Sequence, residues 1–130
     1  MGYRSDVALV LSSDGLTLLE KYLEKLFEKD KDTHEKVAEY FGEADVFRRD
    51  KNCNVFYLWR GVKWYDTDPD YAGPYHIEEF LDSTDLYGED YLFIRLGEEV
   101  NDVETSGEMW SNPFGVGLHR EIAFADGPEL

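Results

Sequence analysis

The chain has a single cysteine, Cys53, so no internal disulfide can form. One lone thiol fits a reducing compartment, and Cys53 is expected to be a small apolar side chain near a strand. No apolar run approaches the roughly 18 to 20 residues that a membrane-spanning helix requires. The polar start from Met1 to Asp6 lacks the character of a secretory signal, so the expected location is the cytoplasm. There is no internal repeat and no low-complexity linker, which makes residues 1–130 one expected domain. The phosphate-cradling Gly-x-x-x-x-Gly-Lys-Ser/Thr loop, the dinucleotide Gly-x-Gly-x-x-Gly turn and the Gly-x-Ser-x-Gly elbow are all missing.

Positive charge is the other scarcity. Residues 66–130 hold 17 acidic side chains against only Arg95 and Arg120, whereas residues 1–65 hold 12 acidic and 11 basic ones. The total of −16 therefore divides into −15 and −1. Such a balance repels nucleic-acid phosphates and anionic membranes. It attracts a basic protein partner instead, with an on-rate that falls as salt rises.

What is abundant is apolar and aromatic: 42% hydrophobic residues, with 3 Trp, 9 Tyr and 8 Phe. That content is far too high for a disordered acidic tail. Val7, Leu9 and Leu11 predict a short strand. Ser12-Ser13-Asp14 then offers N-caps for a long helix with Leu16, Leu19, Tyr22, Leu23, Leu26 and Phe27 on one face. A second helical segment runs through Val37 to Phe41 and stops at Gly42. Val46–Arg49 predicts a short strand, and 54–65 one bent strand or two short ones, with Gly61 where a bulge or bend would sit. Ile77, Phe80 and Leu81 mark a short helix after a loop at 66–75. Strands follow at 91–96 and 118–124, separated by a long acidic loop at 97–113. The expected fold is α+β, a mainly antiparallel sheet with ferredoxin-like β-α-β-β-α-β-β connections as the first candidate.

Few residues group into recognisable chemistry. Asp66, Asp68 and Asp70 alternate as in a calcium loop, but Tyr71 and Ile77 occupy the positions that need glycine and a carboxylate. Glu98, Glu99, Asp102, Glu104 and Glu108 could supply paired carboxylates for acid–base work, yet nothing in the sequence sets two of them face to face. His34, His76 and His119 share no metal-ligand spacing. Arg4 stands two residues before Asp6 and is expected to form a structural or surface pair. No catalytic residue, metal or cofactor is expected. Tyr71, Tyr75 and Trp110, set in acidic loops, are the candidate aromatic anchors for a partner.

The opening Met1-Gly2-Tyr3-Arg4-Ser5-Asp6-Val7 resembles that of a group of small phage and prophage proteins. The resemblance continues through Val62-Lys63-Trp64-Tyr65 and through Tyr91 to Glu99. It implies a viral or prophage setting and transfers no catalytic residue. In that setting the expected role is non-enzymatic: inhibition of a host nucleic-acid-binding protein, such as a defence protein, through a nucleic-acid-mimicking acidic surface. The carboxylates expected to form it are Asp66, Asp68, Asp70, Glu78, Glu79, Asp82, Asp85, Glu89, Asp90, Glu98, Glu99, Asp102 and Glu104. The alternatives are an accessory or assembly protein that binds another protein without mimicry, and a carboxylate-dependent enzyme or metal-binding protein.

Overall fold

The computed structural model describes residues 3–83 and 85–118. Strand β1 (Ser5–Leu11) leads into helix α1 (Ser13–Lys29), whose N-cap Ser12 accepts the Gly15 amide, as the serine pair predicts. Asp30 ends α1 and caps α2 (Lys31–Gly42) through its side chain, which accepts from Thr33 N. One aspartate thus separates two helices where a polar interruption is read from the sequence. Strands β2 (Val46–Arg49) and β3 (Val55–Val62), helix α3 (Ala72–Leu81), a single 3₁₀ turn (Gly88–Asp90) and strands β4 (Tyr91–Leu96) and β5 (Val103–Gly107) complete the chain.

The five strands form one antiparallel sheet in the order β2-β3-β1-β4-β5. The fold is α+β. Because β3 lies between β1 and β2, those two run parallel without touching. Two consecutive helices follow β1 and a fifth strand extends the sheet beyond β4. Pairing slips by one residue between Ser5 and Val7, opposite Gly61, whose φ of 60° suits glycine. The Gly61 amide donates to Asp6 Oδ1, and its carbonyl accepts Arg4 Nη1. Arg4 and Asp6 therefore hold the two sides of one bulge instead of pairing with each other.

Alternation along the strands sends Val7, Leu9, Leu11, Val55, Trp59 and Phe93 to the helix face, where they pack with Leu19, Ile77 and Phe80. Trp59 is the centre of this layer. Its ring stacks on Tyr40 and Tyr57, with centroids 5.4 and 5.7 Å away, and its Nε1 donates to the Tyr40 carbonyl. A fully buried aromatic of this size contributes about 1.5–3 kcal/mol by burial alone. On the opposite face Val10, Leu92 and Ile94 pack beneath Met109, Phe114 and Val116 from the segment after β5.

Four sequence expectations change. The stretch 97–113 contains β5, paired with β4 from Leu96↔Val103 to Leu92↔Gly107; its alternation is hidden because Glu104 and Ser106 point to the helix side. Phe27 is 45% exposed, against Lys31 and His34, rather than core. Cys53 lies between two strands as expected, but it is exposed at φ 66° in the β2–β3 turn, where its Sγ accepts Arg49 Nη2, rather than serving as an apolar packing residue. Leu118 is not in a strand, and the rest of the expected last strand, with His119 and Arg120, lies outside the described residues.

Candidate functional site

Helix α3 places Tyr75, Glu78, Glu79 and Asp82 on one stripe, because positions three, four and seven apart share a helix face. Ile77, Phe80 and Leu81 occupy the other face and anchor the helix in the core. The stripe meets Asp66 and Thr67 from the preceding loop, and these six residues line a cleft of about 400 Å³. Four of the six are carboxylates and none is basic.

Glu78 is the most constrained of them. It is half-buried, and its Oε2 accepts the Trp64 indole N–H at 2.9 Å. Burial pushes its pKa up to about 7; the Trp64 bond opposes the shift, and Glu104, Asp66 and Asp82 add to it. The folded protein therefore holds this proton more tightly than the unfolded chain does. The stabilising contribution is fully present below the free-glutamate value of 4.5 and is lost as pH rises through about 7. Glu78→Gln retains an acceptor for Trp64 and removes the charge. After allowance for solvent screening, it is expected to exceed wild type in stability by about 1 kcal/mol near pH 8, with no advantage near pH 4. Urea denaturation at the two pH values checks this, and equal stabilities near pH 8 would contradict it.

Beside the cleft, Tyr22 Oη donates to Glu79 Oε1 and lies 2.7 Å from His76 Nδ1. Burial, then the hydrogen bond to Glu79, hold the Tyr22 hydroxyl well above the usual phenol range. This makes Tyr22 a poor proton donor to anything else and a firm fastener between α1 and α3. Neither Tyr22 nor His76 was marked by sequence motifs, although the three-residue step from His76 to Glu79 was visible.

The remaining expected site residues do not join this cleft as one surface. Asp68 Oδ1 accepts the Asp70 amide within the loop, and Asp70 is exposed. Asp90 Oδ1 accepts the Ser12 hydroxyl at the head of α1. Glu98 Oε2 accepts the Arg4 amide. Asp102 and Glu104 both engage Arg95, at 2.8 and 3.0 Å. Asp85 faces Lys21 and Lys25 across a smaller pocket, Glu89 lies exposed in the 3₁₀ turn, and Glu99 donates its amide to Tyr3 Oη. Among the aromatic candidates, Tyr75 lines the cleft, while Tyr71 is half-buried edge-on to Tyr65. Trp110 is 46% exposed on the segment after β5.

Among the described residues no group of three or more His, Cys, Asp or Glu converges to hold a metal ion, and no helix is long and apolar enough to cross a membrane. The chain matches no family model, no curated protein and no solved structure. The fold and cleft define an acidic α+β domain with a concave face lined by four carboxylates.

Proposed function

We propose that this chain is a non-enzymatic binding protein whose α3 cleft receives basic side chains of a protein partner. In its more specific form, it is a phage-type cytoplasmic protein that inhibits a host nucleic-acid-binding protein, of the defence class, by offering carboxylates where that protein expects phosphates. One observation carries the reading: Asp66, Glu78, Glu79 and Asp82 share a concave surface with no cation lining it. An arginine entering there would offset the burial and the lesser carboxylate repulsion that raise Glu78, and would lie against the Tyr75 ring.

With the acids engaged in resident ion pairs and hydrogen bonds elsewhere set aside, the proposed mimicking surface is this cleft together with the exposed Asp70 and Glu89. The test is a pull-down from host lysate near 50 and 200 mM salt, followed by competition of the captured protein against DNA and RNA. Capture should weaken about tenfold or more between the two salt concentrations, and nucleic acid should displace the chain. The double reversal Asp66→Lys, Asp82→Lys, which leaves the Tyr22–Glu79 hydrogen bond in place, should abolish capture while leaving the circular dichroism spectrum unchanged. A captured protein that ignores nucleic acid, survives the reversal and is lost on Trp110→Ala would favour the assembly-protein reading.

A further inference from the structure

The second face of the sheet carries a different kind of site. Ala8, Phe56, Leu58, Ile94 and Leu96 form the floor of a groove of about 340 Å³, walled by the backbone and side chains of Gly115, Val116 and Gly117. This volume lies in the range of small-molecule sites. The wall is held in place by Asn112, which uses its whole amide. Its Nδ2 donates to the Met109 and Val116 carbonyls, and its Oδ1 accepts the Phe114 and Val116 amides. Phe114 rests against Phe56 with ring centroids 5.9 Å apart, so the groove has a formed side and an open one.

Its two charged lining residues are not equivalent. Asp6 spends Oδ1 on the Gly61 amide at 2.8 Å. Arg60 donates its backbone amide to Asp45 Oδ2, while its guanidinium has no ion-pair partner among the described residues. Arg48 projects from the same face of the sheet, since it pairs with Phe56, four residues from Arg60 along β3. In a chain of net charge −16, the lining of this groove is neutral in sum, and its guanidinium is the charge left without an ion-pair partner among the described residues.

We infer that this groove binds a free single-chain amphiphilic anion, with its hydrocarbon body on Ala8, Leu58, Ile94 and Leu96 and its carboxylate on the Arg60 guanidinium. Charge complementarity selects the head group. A planar guanidinium meets a carboxylate through paired N–H bonds, and the exposed rim leaves that head partly hydrated. The apolar floor supplies the remaining affinity, at about 25 cal/mol for each Å² removed from water. This site lies across the sheet from the α3 cleft and does not depend on it.

The test titrates dodecanoate, below its micelle concentration, into the full-length ¹⁵N-labelled protein. Dodecyltrimethylammonium serves as a comparable chain with a cationic head. Dodecanoate is expected to shift the amides of Ala8, Leu58, Ile94 and Val116, and Arg60→Gln to weaken it about fivefold or more. Arg60 is exposed, so this substitution leaves the fold intact; Arg60→Lys should recover part of the affinity. Long-range electrostatics favour the cationic amphiphile, so an anion preference at these amides can only be local. Equal binding of the cation in the groove, unchanged affinity in Arg60→Gln, shifts confined to α3, or no shift with dodecanoate would each overturn the assignment. Binding only to anionic vesicles, and not to monomeric dodecanoate, would also overturn it.

Discussion

Arg95→Met is expected to destabilise the protein by about 2–3 kcal/mol, although methionine fills much of the same space. The arginine lies on the helix face of β4, 17% exposed, and donates Nε to Glu104, Nη1 and Nη2 to Asp102, and Nη1 to Ser5 Oγ. These hydrogen bonds, Asp102 first, hold its guanidinium firmly in the charged form. Removing it strands two carboxylates side by side, near Glu78 and its neighbours. A fully buried pair broken in this way costs about 3–5 kcal/mol, and the 32% and 40% exposure of Asp102 and Glu104 reduces that figure. Neutralising the group together, as Arg95→Met, Asp102→Asn, Glu104→Gln, should cost less than Arg95→Met alone. Chemical denaturation of both variants checks the order, and the reverse order would show that Arg95 contributes by packing.

Gly73→Ala is expected to cost about 2 kcal/mol, against the usual sign for a helical glycine. Alanine is favoured over glycine inside a helix by about 1 kcal/mol. At position 73, however, an added Cβ would fall 2.3 Å from Cγ of Tyr40 and within 2.7 Å of two further ring atoms. That ring cannot retreat, because Trp59 is stacked on it and Trp64 flanks it. Overpacking of this kind costs about 1–3 kcal/mol and occasionally more, which outweighs the propensity gain. Tyr40→Phe keeps the ring and should leave the penalty in place. In a Tyr40→Leu background it should shrink by at least about 1 kcal/mol. Additive effects in that double-mutant cycle would contradict the contact.

Elements with a strong local period were legible in the sequence. The Ser12 cap, the stripe along α1, the Gly42 stop and the aromatic β3 with its bend at Gly61 each follow from spacing or backbone chemistry alone. β5 was not, because Val103-Glu104-Thr105-Ser106-Gly107 sends one polar row toward Arg95 and leaves little apolar alternation. Its strand character comes from pairing with β4, a tertiary fact. The same distinction applies to the carboxylates. Composition located the acidity in residues 66–108, and the helical spacing of 75, 78, 79 and 82 was there to be read. Which acids are already engaged depends on partners as remote as Arg4 with Glu98 and Ser12 with Asp90.

The central position of β1 has a consequence for how the protein is made. Among the described elements this strand leaves the ribosome first, yet its partners are β3 and β4, ending at Val62 and Leu96. At about 5–20 residues per second, Val7 to Leu11 wait several seconds for one neighbour and roughly two-thirds longer for the second. Meanwhile α1 and α2 can form locally and shelter one side of the strand. The sheet thus closes late and around its oldest segment, so truncation anywhere before Leu96 should leave an aggregation-prone nascent chain.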